Sequence, residues 1–188
     1  NLLIKFIKSR KSSFDIFFDI GAHRGESIKL YLSKFKINEI YSFEPLESNF
    51  NILNNYKNLV LKDFQNTKIF LENFALGSEV KKVKIKELNE TSSSTFNEIN
   101  VNSKYFKKKK SFLPSLNKEN FFFEKKVQMN TLSEYIKKKS IKKIDFMKID
   151  TEGYEYDVLL GLKGQFDKVS IIMFEHHYDD MLKKNYKF

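Results

Sequence analysis

Phe14-Asp15-Ile16-Phe17-Phe18-Asp19-Ile20-Gly21-Ala22-His23-Arg24-Gly25-Glu26 is the stretch on which the fold turns. Its first seven residues form an apolar run rich in β-formers, and that run breaks at Gly21. A helical pattern follows, with Ile28, Leu30, Tyr31, Leu32 and Phe35 as its apolar residues. Strand, tight glycine turn and helix, in that order, open a nucleotide-binding α/β fold, because the turn lets backbone lie against a ligand. The spacing is Asp19-x-Gly21-x-x-x-Gly25, which is not the Gly-x-Gly-x-x-Gly of dinucleotide-binding turns. Glycines after a strand are also ordinary turn residues, so the stretch gains its meaning from partners further along.

A chain of 188 residues suits one domain with one sizeable core. An apolar fraction of 41% and 20 phenylalanines argue for a globular fold rather than disorder. No apolar run is long enough to span a bilayer, and Asp15 and Asp19 interrupt the longest candidate. Residues 1–13 read as an N-terminal extension without the hydrophobic core or small-residue cleavage site of a secretory signal. The first residue is Asn1, which is compatible with a piece of a longer protein. Zero cysteines exclude a disulfide scaffold and thiolate zinc sites, and fit a cytoplasmic setting.

The net charge of +10 invites a nucleic-acid reading. Nearly all of it is lysine, however, with Arg10 and Arg24 as the only arginines, and sequence-reading proteins favour arginine for bidentate contacts. Lys, Asn, Ile and Phe are all abundant, as an AT-rich genome would produce. Lys107-Lys108-Lys109-Lys110 reads as a solvated loop that could attract an anionic substrate or membrane surface weakly. No specific nucleic-acid partner is expected.

Along the chain, 14–20 reads as a first strand, 25–36 as a helix, 40–44 as a second strand ended by Pro45, 47–56 as a helix and 69–74 as a third strand. The segment from about 78 to 130 differs: Val80, Val83 and Ile85 suggest an added strand, 97–120 is polar and Lys-rich, and 121–129 suggests another strand. It reads as an insertion over the sheet, because it has too few apolar residues for a core of its own. Thr131 then caps a short helix over 132–139, 144–149 is a strand, 153–162 a helix with Gly164 as its stop, and 169–174 a continuous apolar run of the kind buried on both faces of a sheet. Repeated strand–helix alternation argues a Rossmann-like, three-layer α/β sandwich with a mostly parallel central sheet, and 14–188 as a single domain.

A second dense patch is Asp145-Phe146-Met147-Lys148-Ile149-Asp150-Thr151-Glu152-Gly153-Tyr154-Glu155. Lys148, Asp150 and Glu152 alternate along a buried strand and so share a side. Ionic groups cannot sit there unpaired. A lysine between carboxylates can be structural, or it can hold a catalytic carboxylate in place. Asp150 falls at the strand's carboxyl end, where open α/β sheets put their ligands.

Asp19-x-Gly21-x-x-x-Gly25 resembles the first motif of class I S-adenosylmethionine (SAM) methyltransferases. With Phe43-Glu44-Pro45, Ala75-Leu76-Gly77 and Lys148-Ile149-Asp150-Thr151-Glu152-Gly153-Tyr154-Glu155, the ordered blocks resemble the FkbM family of SAM-dependent methyltransferases over about residues 15–176. Asp145 and Leu159-x-Gly161 fit the same pattern. The resemblance implies methyl transfer from SAM to a hydroxyl on a sugar, glycan or polyketide-like secondary metabolite. On it, the cofactor-binding candidates are Asp19, Gly21, Ala22, Gly25, Glu44, Asn73 and Ala75. Asp19 would meet the cofactor's amino group directly or through water. Glu44, at the end of the second strand, would accept from both ribose hydroxyls, although an exposed strand-end acid would read the same. Asn73 would bond the adenine amino group, with Phe74 or Ala75 against the ring, although asparagine is equally at home in turns. The full class I sheet has further strands, which this sequence lacks or does not reach.

A sugar hydroxyl is a poor nucleophile, so a base that takes its proton should help by ~10²–10⁴. Asp150, Glu152, His176 and His177 are the candidates, with Lys148 supporting; His23, inside the glycine turn, reads as a cofactor-side or solvent residue rather than a base. The histidines could also sit on a surface loop or join Asp150 on a metal, and no metal site is expected. A base methyltransferase would carry an Asn/Asp-Pro-Pro-aromatic motif, but this chain has only Pro45 and Pro114. A catalytically silent SAM-fold module would show the same blocks, although retention of Asp19, Glu44, Lys148, Asp150 and Glu152 argues against decay.

Overall fold

A computed structural model describes residues 2–88, 94–113, 116, 121–175 and 181–183. Helix α1 (Leu2–Arg10), strand β1 (Ser13–Ile20), α2 (Glu26–Leu32), β2 (Lys36–Phe43), α3 (Glu47–Asp63) and β3 (Lys68–Glu72) come first. The middle holds β4 (Ala75–Leu76), β5 (Lys81–Leu88), β6 (Ser94–Thr95), β7 (Glu98–Ile99), α4 (Lys104–Phe112) and β8 (Phe122–Asn130). Then follow α5 (Leu132–Lys138), β9 (Phe146–Ile149), α6 (Glu155–Leu160), β10 (Ile172–Phe174) and β11 (Leu182–Lys183).

The central sheet is wholly parallel, in the order β10-β9-β1-β2-β3. β1 is flanked by β2 and β9, so the winding reverses beside it, and that reversal opens a crevice at the strands' carboxyl ends. Phe17 and Phe18 point to opposite faces of β1 and found two cores. Phe17 stacks on Phe146 at 5.2 Å among Ile28 and Tyr31 of α2 and Leu53 of α3. Phe18 meets Tyr41, Phe43 and Tyr135 beside Ile136 of α5 and Val158 of α6. The result is the three-layer α/β sandwich expected. Ile4 and Ile7 of α1 are buried in the first core, so the N-terminal segment packs as part of the structure. At the sheet's foot the buried Asp145 accepts from the amides of Asp15 and Ile16 and from Lys11, which keeps its carboxyl below the usual range despite burial.

The middle segment makes a second sheet, β4-β8-β5-β6, in which β5 and β8 pair antiparallel from Lys81↔Met129 to Leu88↔Phe122. Its small apolar cluster (Leu88, Phe106, Leu116) is completed by Met181 and Leu182 near the chain's end, where β11 pairs with β7. Two expectations are corrected here. Lys107–Lys110 is not a loop but part of α4, because Ser103 caps it by accepting from the Phe106 amide at 3.0 Å and Phe106 is buried beneath. The run 169–174 is not buried on both faces: strand β10 covers only 172–174 and is the last strand on its side of the sheet among the described residues, and Phe174 is 38% exposed. Among the described residues no helix is long and apolar enough to cross a membrane.

Candidate active site

The glycine turn after β1 knits three strand ends together. Gly21 has φ +78°, and its N–H and that of Ala22 both donate to the Phe43 carbonyl at the end of β2, at 3.1 and 3.0 Å. A Cβ on Gly21 would lie 1.9 Å from the Asp150 carbonyl at the end of β9, so only glycine allows this approach. Between these ends opens a cavity of about 330 Å³, within the range of small-molecule sites. Gly21, Ala22, His23, Glu26 and Ser27 form one side of it, and Glu44, Pro45, Phe74, Ala75 and Leu76 another. Lys148, Asp150, Thr151 and Glu152 form the floor, and Ile85, Ser94 and Phe96 from the middle segment complete the wall.

Glu44 follows β2 and is buried, with only 4% of the residue exposed. Its Oε2 accepts from the His23 amide and its Oε1 from the Leu46 amide, each at 3.0 Å. Burial pushes its carboxyl up to about 7, against those amides and the Asn49 side chain, which favour the ionised form. A carboxylate offers about four acceptor positions, so these contacts leave it acceptor capacity for a ligand.

Register places Lys148 of β9 beside Asp19 of β1. The Lys148 ammonium is 3.3 Å from Asp19 Oδ1 and 3.1 Å from Asp150 Oδ2, and 3.5 Å from the Gly21 carbonyl, to which it donates. Burial opposes its charge, but the two carboxylates more than compensate and raise it above the ordinary lysine range. Asp19 is fully buried, which raises its carboxyl in spite of Lys148, and its Oδ2 has no hydrogen-bond partner among the described residues. The cluster Asp19–Lys148–Asp150 therefore fixes Asp150, half-exposed, at the cavity floor.

The segment after Asp150 is held in an unusual shape. Glu152 has φ +51° and Gly153 φ +93°. The buried Glu155, at the start of α6, reaches back: its Oε1 accepts from the Thr151 and Gly153 amides at 3.0 Å and from the Thr151 hydroxyl at 3.2 Å. From the other side Thr95 donates to the Glu152 carbonyl at 2.8 Å and Asn97 to the Gly153 carbonyl at 2.7 Å. Phe96 between them packs on Tyr154 at 4.8 Å. The middle segment thus builds part of the site.

Of the residues singled out from sequence, Gly21, Ala22, Glu44, Ala75, Lys148, Asp150 and Glu152 meet on this cavity. Asp19 lies behind Lys148 and is not in the wall, and Gly25 packs against Tyr56 and Leu53 of α3. Asn73 lines a neighbouring groove, and its amide nitrogen donates to the Glu44 and Pro45 carbonyls at 2.8 and 3.2 Å. His176 and His177 lie outside the described residues. The wall also holds residues to which sequence reading gave no role. Glu26 and Ser27 could have been found from their place just after the glycine turn. Ile85, Ser94 and Phe96 carry no motif, since only the folding-back of the middle segment brings them here.

The sequence profile of the methyltransferase FkbM domain matches residues 19–186. The solved structure of methyltransferase FkbM from Methylobacillus flagellatus KT is similar, at 17% identity and a TM-score of 0.49, over 80% of this chain and 29% of that one. The chain thus spans less than a third of that protein's length. No curated protein matches the sequence.

Proposed function

Since the chain belongs to the methyltransferase FkbM domain family, we propose that it is a SAM-dependent O-methyltransferase whose acceptor is a hydroxyl of a sugar, glycan or related secondary metabolite. The observation that carries the reading is the meeting of the Gly21–Ala22 turn, the Glu44 carboxylate and the Lys148-held Asp150 on one cavity where the sheet reverses. The residues fit the cofactor: Glu44 keeps acceptor capacity for a ribose diol, Phe74, Ala75 and Leu76 give an apolar slot for a purine, and the glycine turn leaves backbone bare along the wall. The same reading makes 14–188 one catalytic domain with the middle segment inserted, and a cytoplasmic setting agrees with the lack of cysteine.

SAM supplies, when bound, a methyl group on a positively charged sulfur that an oxygen nucleophile can displace. The chain's work is alignment and proton handling. Lys148 holds Asp150 Oδ2, leaving Oδ1 to take the acceptor hydroxyl's proton, and Asp19 keeps Lys148 in place from behind. Glu152, fixed by the Glu155 and Thr95 hydrogen bonds around it, is a second carboxylate in reach of the acceptor. Ile85 and Phe96 shield the acceptor side from water.

The test is incubation with SAM carrying a labelled methyl group and a panel of sugars and glycans. Label in an alkali-stable ether, lost in Asp150→Ala with folding intact, supports the reading. SAM uptake with no transfer to any acceptor points instead to a silent binding module, and full activity in Asp150→Ala removes that residue from the mechanism.

A further inference from the structure

The longest lysine run of the sequence, Lys107–Lys110, lies on α4, and the catalytic reading gives it no task. No acidic residue occurs between Glu98 and Glu119, so the helix and its flanks carry only positive charge. On its inner side Phe106 is buried and packs on Phe121 at 5.4 Å, in the small cluster with Leu88 and Leu116. The outer side is not simply polar. Tyr105 is 48% exposed and Phe112 74%. Seven residues, two helical turns, separate them, so they stand on one side of the helix about 10 Å apart along its axis. Lys108 comes three residues after Tyr105 and four before Phe112, and therefore lies between them. Lys104 and Lys107 are exposed on the same outer half, and so is Val101 just before the helix.

A lone exposed apolar side chain needs no explanation, but aromatic residues interleaved with cations along one helix face are the pattern of a helix that lies in a membrane interface. The ammonium groups meet anionic headgroups while the lysine stems lie along the rings, and the rings reach the acyl boundary. A nucleic acid or an acidic glycan answers the charge alone. Single strands are held by stacking within a groove, whereas this face is the convex side of a helix, and it carries no arginine for bidentate phosphate contacts.

We infer that α4 docks the protein on an anionic lipid bilayer, with Lys104, Lys107 and Lys108 at the headgroups and Tyr105 and Phe112 inserted between them. The helix belongs to the lobe whose Ile85, Ser94 and Phe96 wall the cavity. Leu182, in the apolar cluster under α4, stands 2.9 Å from the place a Cβ on Gly153 would take, next to Glu152. Docking of this lobe holds the candidate active site near the lipid surface. The inference stands apart from the SAM reading, and either can fail without the other.

Co-sedimentation with two kinds of vesicle tests it: phosphatidylcholine alone, and phosphatidylcholine mixed with phosphatidylglycerol. The wild type should pellet with the mixed vesicles and stay in solution with phosphatidylcholine alone. Tyr105→Ser/Phe112→Ser should bind the mixed vesicles about tenfold or more weakly, the scale of withdrawing aromatic side chains from an apolar phase, while its retention on heparin stays that of the wild type. Lys104→Gln/Lys107→Gln/Lys108→Gln should weaken vesicle binding about a hundredfold, about fivefold for each lysine. All five substitutions are at exposed side chains, and unchanged melting curves check that both variants fold. A wild type that stays in solution with the mixed vesicles overturns the inference. So does a serine variant that binds them as tightly as the wild type, which would leave only the attraction of a basic chain for any polyanion. A glutamine variant with wild-type affinity would overturn it too, by placing the contact elsewhere on the chain.

Discussion

Lys148→Met removes the ammonium lying 3.3 Å from Asp19 and 3.1 Å from Asp150 while keeping a stem of similar length. At an effective dielectric of about 20, unit charges 3.3 Å apart attract by about 5 kcal/mol. Removing one partner of a buried pair costs about 3–5 kcal/mol, because the other charge stays behind. Asp19 can escape that cost by taking up a proton. Complete burial already holds its carboxyl above the ordinary range, and without Lys148 it must rise further. A carboxyl whose pKa is higher folded than unfolded binds more protons in the folded state, so its contribution is fully present at low pH and is lost as pH rises towards the folded value. The penalty of Lys148→Met should therefore be small near the unfolded carboxylate range. It should grow by up to about 1.4 kcal/mol per pH unit and reach about 3–5 kcal/mol at mildly alkaline pH. Lys148 itself stays charged throughout, since its pKa is raised. Urea unfolding of both proteins across that interval, followed by circular dichroism, measures the difference. A penalty that does not change with pH, or stays under about 1 kcal/mol at the alkaline end, refutes the view that Lys148 is the counter-charge of a buried carboxylate.

Other consequences concern the remaining acids and a backbone contact. Glu44 must be ionised to accept from two hydroxyls, so SAM affinity should fall about tenfold per pH unit below its pKa of about 7, and Glu44→Gln should flatten that slope; an unchanged slope in calorimetry assigns the proton elsewhere. Glu155→Ala strips the Thr151 and Gly153 amides of their shared acceptor. It should cost about 2–4 kcal/mol in urea unfolding, and a loss below about 0.5 kcal/mol would show that the loop holds its shape without it. A Cβ on Gly161 would stand 2.0 Å from the Gly77 carbonyl, so Gly161→Ala should lower the melting temperature by several degrees; a wild-type melting curve would mean that the two backbones part easily.

The parts of the fold that can be read from the sequence are those where one local pattern decides the outcome. Phe17 and Phe18 must face opposite ways on a strand, the chain must turn at Gly21, and Lys148 must find carboxylates if its strand is buried. The blocks around Gly77 and Gly161 also become intelligible as physics, since the two backbones touch there. What the sequence hides depends on distant partners. An apolar run such as 169–174 looks the same at a sheet's edge as at its centre, because only the neighbouring strand decides. Lys107–Lys110 looks like solvent-exposed loop until the Ser103 cap and the buried Phe106 are weighed together. Asn73 reads from sequence as a strand-end ligand contact, whereas the fold puts it on a neighbouring groove with its amide nitrogen on the Glu44 and Pro45 carbonyls. Phe96 and the Thr95–Asn97 clamp sit in a segment of low motif content, and nothing short of the folded chain brings them against Glu152.

Titration calorimetry of SAM into the wild type and Glu44→Ala decides whether the cavity is a cofactor pocket. The wild type should bind, and the variant should bind about ten- to a hundredfold more weakly, the effect of losing about 1.5–3 kcal/mol of hydrogen bonding to a charged group. A folded wild type that takes up no SAM, or a Glu44→Ala variant that binds it as tightly as the wild type, would contradict the assignment of Glu44 and of the cavity around it.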